Sequence, residues 1–379
     1  MQSTNIFKAF FESEKAGGLI LIACTALSLL LANSSWGGQY LHLWHADFGG
    51  KPIEFWINDG LMAIFFLLIG LELEREIYIG ELSSMKHAVL PIFAALGGML
   101  VPAAIYLAFN FGLPSQSGAG IPMATDIAFA LGVLSLLGDR VPTALKVFLT
   151  ALAVIDDLGA ILVIAVFYTD GLSLLNLSIA LSIFALLYVL GRRKVYALWP
   201  YLAGGAVMWY FMLQSGVHAT IAGVMLAFAI PFGNGGERAT SARLQHALHG
   251  PVAFVILPLF ALANTAIAVD SGLDGLFAEP YGIGIALGLV LGKPLGIWLM
   301  TRGAVAMGWC RLPSGVSWRA VLGVGFLGGI GFTMSIFITL LAFSDAHHIG
   351  QAKLVILLAS VVAGTIGFFW LKSSLRKRW

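Results

Sequence analysis

Charge is what this chain has least of: Lys, Arg, Asp and Glu make up only 11% of 379 residues, while 59% are hydrophobic and the mean hydropathy is +0.92. A soluble domain carries about a quarter charged residues, so a water-soluble enzyme of ordinary type is excluded. Cysteine is nearly absent. Cys24 lies in an apolar run and Cys310 in a basic loop, which offers neither a disulfide framework nor a metal-ligand spacing. A net charge of +2 gives no basic field for nucleic acid, and no G-x-x-x-x-G-K-[ST] occurs to bind a nucleotide. Polar and apolar residues do not alternate over long stretches, so an outer-membrane barrel is also excluded.

What the chain does have is apolar runs near 17–32, 57–79, 88–109, 121–137, 143–168, 172–190, 196–213, 216–231, 249–269, 281–301, 320–343 and 352–371. A spanning helix needs about 20 apolar residues, so these runs predict an all-α integral membrane protein with twelve transmembrane helices. Most connections are short and carry Gly, Pro, Asp or Asn, which predicts one domain over 1–379. The loop 33–56, with Trp36, Trp44, Gly49 and Gly50, is long enough for a β-hairpin at the membrane face. Glu12 and Glu14 precede the first run, which reads as a retained span and not a cleaved leader. Eighteen of the 21 Lys and Arg residues fall on one side of this arrangement. Only Lys51 and Lys353 fall on the other, and Lys293 lies inside a span. Because positive loops stay in the cytoplasm, both termini are expected there, in a multi-pass protein of the inner membrane.

Four ionisable residues stand where lipid or packed helix is expected: Asp126 in span four, Asp156 and Asp157 in span five, and Lys293 in span ten. Each costs about 3 kcal/mol or more on insertion scales. A structural ion pair would answer one aspartate and leave two. Span four reads IPMATDIAFALG and span eleven VGFLGGIGFTMSIF, sequences that favour broken helices. Seven spans separate them, so they run in opposite directions. Paired interrupted spans of that kind are the signature of an inverted-repeat transporter with its site at mid-membrane.

The runs GLELERE, TDIAFALGVLSLLG, ALAVIDDLGAI, SGVHATIAGV, LGKPLGI and GIGFTMSIFI, in that order and over nearly the whole chain, resemble the NhaA family of bacterial sodium/proton antiporters. The resemblance implies an inverted-repeat fold in which spans 4 and 11 are interrupted and cross beside an aspartate pair. It also implies electrogenic export of cytoplasmic Na+ or Li+ against entering protons, without a cofactor. Carboxylates suit that task, since they bind both a dehydrated cation and protons, which then compete for one site. Adjacent residues on a helix point about 100° apart, so Asp156 and Asp157 have different roles. Asp157 is assigned as the principal Na+ ligand, with Asp156 as its partner and Thr125 as a further oxygen. The resemblance suggests that Asp126 balances the positive helix ends at the crossing and Lys293 the negative ones; a proton-carrying Lys293 is the alternative.

A second group, Glu72, Arg75, Glu76, His246 and His249, corresponds in this family to the mouth of the cytoplasmic funnel and its response to pH. The chain departs from the family pattern at Gln245 and Glu74, and Glu74 reads by default as a solvated charge. The loop 33–56 resembles the segment that joins two protomers, which implies a homodimer in the lipid bilayer. The rival from another class is an intramembrane metal-dependent enzyme resembling a prenyltransferase. Its aspartate motif would need further acids, but Leu158, Gly159 and Ala160 follow the pair and no second aspartate-rich segment exists to hold Mg2+ and diphosphate.

Overall fold

The computed structural model describes residues 2–169, 171–233, 235–237, 239–268 and 275–375. Side chains of the first helix are described from Ala16 onward, and that of Asp139 is not described. Arg238, Arg376, Lys377 and Arg378, used above for orientation, lie outside the described residues, as do the side chains of Lys8 and Lys15.

The chain is helical almost throughout. Helix α1 (Gln2–Ala32) turns by 115° into α2 (Gly37–His45). Between α2 and the next helix, β1 (Asp47–Phe48) pairs antiparallel with β2 (Lys51–Pro52). Gly49 and Gly50 make this turn with φ of 66° and 83°, a pair of left-handed residues that favours glycine. The hairpin therefore occupies only the end of the 33–56 segment, and α2 takes up much of the rest.

Helices α3 (Ile53–Tyr78) and α4 (Met85–Asn110) follow. The next span is broken. Pro114–Met123 is a tight 310 run rich in glycine, residues 124–126 are extended, and α5 (Ile127–Ser135) resumes the helix. Then come α6 (Thr143–Phe167), α7 (Leu174–Arg192), α8 (Trp199–Gln214), α9 (Ile221–Ala229), α10 (Thr240–Asn264) and α11 (Pro280–Ala306). A second broken span, α12 (Trp318–Gly328) and α13 (Phe332–Ala342), bends by 47° before the final helix α14 (Ala346–Ser374).

Among the described residues, eight helices are long and apolar enough to cross a membrane, or up to ten when each bent pair counts as one span. The two expected spans that fall short are α8, with 16 residues, and α9, with nine. Their apolar runs are interrupted by the Ser215–Thr220 connection before a full crossing length is reached.

Helices α4 and α11 approach closely because glycines face each other. A Cβ on Gly97 would collide with the backbone of Gly296, and a Cβ on Gly296 with that of Gly97. Gly292 and Gly288, one and two turns earlier on α11, lie against Pro102 and Pro122, giving the small-residue seam typical of membrane helices. Just before Lys293, α11 widens into a π-type turn over Gly288–Gly292. Pro294 cannot donate to the preceding turn, which accounts for the irregular hydrogen bonding.

This seam generates a test of packing. Gly296→Ala should destabilise the detergent-solubilised protein by about 1–3 kcal/mol through overpacking. Gly303→Ala, on the same helix with nothing near its added Cβ, should be neutral or stabilising by up to about 1 kcal/mol. Thermal unfolding of the two variants reads the difference; equal shifts would remove the seam from the account.

Candidate functional site

Asp156 and Asp157 are the fourteenth and fifteenth of the 25 residues of α6, and Lys293 the fourteenth of the 27 of α11. These positions lie mid-helix, where water is scarcest. Asp126, Asp156 and Asp157 are 1–2% exposed and Lys293 not at all. Lys293 Nζ donates to Asp156 Oδ2 at 2.5 Å and to the carbonyl of Met123, the last residue of the 310 run. The lysine thus meets both a carboxylate and a carbonyl left free where the helix stops.

Asp126 is held differently. It is the N-cap of α5 and accepts from Phe129 N at 3.1 Å. Its other oxygen accepts from Thr333 N at 3.0 Å and Thr333 Oγ1 at 2.6 Å, at the first turn of α13. One carboxylate therefore answers the amino ends of two helices. The breaks also satisfy each other's backbone: Asp126 N donates to Ile330 O at 2.6 Å, Thr125 Oγ1 to Gly328 O at 2.9 Å, and Ser335 Oγ to Ile121 O at 2.6 Å.

Asp157 has no such arrangement, because its Oδ1 is buried without a hydrogen-bond partner, as is Asp156 Oδ1. A cavity of about 50 Å3 lies against Asp157, Asp126, Thr125 and Thr333 and is also lined by Glu72 and His249. The expected cluster is thereby divided. Glu72, with Gln245 beside it, and His249 share the cavity with the aspartates. Arg75 and His246 are exposed, and Glu76 accepts from Glu81 N at 3.0 Å. Glu74 is not a solvated charge: it is 4% exposed, and its Oε2 has no partner. The helical twist explains the correction, since Leu67 and Leu71 precede it on the face that packs into a buried cluster with Leu226 and Leu244.

Sequence reasoning missed Thr333 and the carbonyls of Met123 and Gly328. For Thr333 a signal existed, a hydroxyl two residues after the last glycine of the break in span eleven. For the carbonyls none did, since every residue has one.

A sequence model of the family described as Na+/H+ antiporter 1 matches residues 8–371. The chain is 65% identical over 376 residues to a Flavobacterium psychrophilum protein named Na(+)/H(+) antiporter NhaA, covering 99% of this chain and 98% of that one. Proteins of the same name from Cytophaga hutchinsonii and Dechloromonas aromatica are 61% and 60% identical, covering 100% and 96% of this chain and 97% and 95% of theirs.

The buried pair makes a stability prediction. Lys293→Met alone leaves Asp156 buried without its cation and should cost about 3–5 kcal/mol, whereas Lys293→Met with Asp156→Asn should recover most of the loss. Melting temperatures of the single and double variants in detergent measure the coupling; additive losses would mean that the two residues do not depend on each other.

Proposed function

The chain belongs to the Na+/H+ antiporter 1 family, and from that premise we propose that it is an electrogenic antiporter of the inner membrane, exporting cytoplasmic Na+ or Li+ in exchange for external protons. The observation that carries this reading is the unpartnered Asp157 Oδ1 at the buried end of a cavity reaching Glu72 and His249. A carboxylate in that position is costly. Either a proton or a cation removes the cost, so each displaces the other.

Asp157 is the principal cation ligand, Asp156 contributes its second oxygen, and Thr125 supplies a hydroxyl oxygen at the helix break. When Na+ binds, Asp156 turns from Lys293 toward the cation. When Na+ leaves and protons return, the Lys293–Asp156 pair re-forms. Asp126 balances the amino ends of α5 and α13, and Lys293 the carbonyl end of the 310 run. These two charges let a pair of broken helices meet in a dry interior, and they let the site change sides without exposing bare helix ends. Arginine in place of Lys293 keeps the compensating charge but resists deprotonation, so Lys293→Arg separates charge balance from proton carriage.

The excess of Lys and Arg on one side supports cytoplasmic termini and a cytoplasmic entrance lined by Glu72 and His249. Twelve crossings require α8 and α9 to traverse a locally thin region as shorter helices, with spans 4 and 11 interrupted. The exposed hairpin edge of β1 and β2 supports pairing of two protomers in the membrane. Such a protein is a secondary transporter, not an enzyme, and works without a cofactor.

In inverted membrane vesicles carrying a pH gradient, added Na+ should dissipate the gradient with the native chain and fail to do so with Asp157→Asn. The variant removes an unpaired carboxylate and should remain as stable as the native protein. Exchange persisting with unchanged apparent affinity would exclude Asp157 as the ligand.

The pH dependence follows from competition. Lowering the pH should raise the apparent KM for Na+ by up to about tenfold per unit for each competing proton, and saturating Na+ should restore the full rate. His246→Ala with His249→Ala should leave that profile in place. If saturating Na+ does not rescue acid inactivation and the double variant moves the profile, the histidines together with Glu72, Arg75 and Glu76 act as a separate sensor.

A further inference from the structure

A second cavity, of about 670 Å3, lies at the end of the bundle opposite Glu72 and His249. Asn58 and Asp59 of α3, Ala263 of α10, Phe337 of α13 and Lys353 of α14 line it. The first three of these helices also line the aspartate cavity, through Phe65, Leu257 and Met334. Along α3 the step from Asp59 to Phe65 is about 9 Å. Met62, Phe66 and Phe260, none more than 1% exposed, occupy this level, and the Phe66 ring lies 5.4 Å from that of Phe337.

Behind Asn58 and Lys353 of this lining, one buried amide joins three helices. Asn264, 2% exposed, donates through Nδ2 to Asn58 Oδ1 at 2.7 Å and to Phe260 O at 3.0 Å. Its Oδ1 accepts from Lys353 Nζ at 3.2 Å. The sequence put Lys353 at the outer edge of the run 352–371, and it stands about two turns into α14. Moving α3, α10 and α14 apart at this end breaks these bonds together, and each buried group must find another partner or bear the cost of having none.

We propose that Lys353, tethered to Asn264, is the positioning residue of the outer gate, holding α3, α10 and α14 together between the outer vestibule and the aspartate site. The proposal rests on the antiport reading, which supplies the outward direction. A partly hydrated monovalent cation needs oxygen contacts of the kind Lys353 Nζ makes with Asn264 Oδ1. An outgoing Na+ therefore takes the place of the tethered ammonium on that oxygen, aided by the vestibule carboxylates Glu54 and Asp59. The ammonium returns once the ion has passed and closes the path. Lys353 touches neither Asp156 nor Asp157 and acts through Asn264.

The test uses the full chain with Cys24→Ser and Cys310→Ser, and Met334→Cys as a reporter on the aspartate side of the apolar layer. A membrane-impermeant maleimide is added to the outer face of right-side-out vesicles. Labelling should be slow with the native gate and about tenfold faster with Lys353→Gln or Asn264→Ala, a change of about 1.4 kcal/mol in the closed state. Lys353→Arg, which keeps a charged donor, should stay near the native rate, and labelling from the inner face in inverted vesicles should not change. Unchanged outer labelling in both variants overturns the proposal, as does equal acceleration from both faces, which signifies general loosening. Na+-dependent proton exchange is measured in parallel without the reporter cysteine. If the native chain exchanges while outer labelling ignores the latch, the gate falls and antiport stands; if the native chain does not exchange, the antiport reading itself falls.

Discussion

Four ionisable side chains taken out of water govern this structure. Lys293 answers Asp156 directly at 2.5 Å, Asp126 is met by three donors, and Asp157 keeps one oxygen without a partner. Burial is nearly equal among the three acids, so burial does not assign their roles. Hydrogen bonding does. A carboxylate whose acceptor sites are filled by fixed donors is a structural charge, whereas one facing a cavity with an oxygen unengaged is available to a proton or an ion.

The helix breaks make that asymmetry affordable. Unpaired backbone groups in a dry interior are as costly as unpaired side chains, and neither interrupted span could satisfy its own. Each break supplies the other's partners, through Asp126 N on Ile330 O, Thr125 Oγ1 on Gly328 O, and the Thr333 donors on Asp126. Lys293 reaches this meeting point because α11 approaches α4 along Gly288, Gly292 and Gly296. A bulky residue on that seam would move the ammonium away from both Asp156 and Met123. Packing of small residues and pairing of large charges are thus one constraint seen at two distances.

The two cavities share α3, α10 and α13 as walls, with an apolar layer between them. Polar latches at the ends of such helices are easier to undo than the layer itself, because water and ions can replace a hydrogen bond but cannot replace close apolar packing.

The hydrophobic runs, the misplaced charges at Asp126, Asp156, Asp157 and Lys293, and the glycine-rich interruption of span eleven were all legible from residue order alone. Each is a local property, since the cost of placing a residue in lipid depends on the residue and its immediate run. Lengths were less legible. The runs behind α8 and α9 looked like full spans, yet their helices end early, because hydropathy does not report where a connection begins to turn. Glu74 and Glu72 are two residues apart with the same chemistry, and only the rotation of α3 decided that one faces a packed cluster and the other the cavity. Lys353 read only as a cation at the outer edge of the last run, and the fold bonds it to Asn264 of another helix. Pairings were decided by the tertiary structure for a plain physical reason: Lys293 and Asp156 are separated by 137 residues and Asn264 and Asn58 by 206, and a hydrogen bond forms only when packing brings such distant atoms within about 3 Å at the right angle.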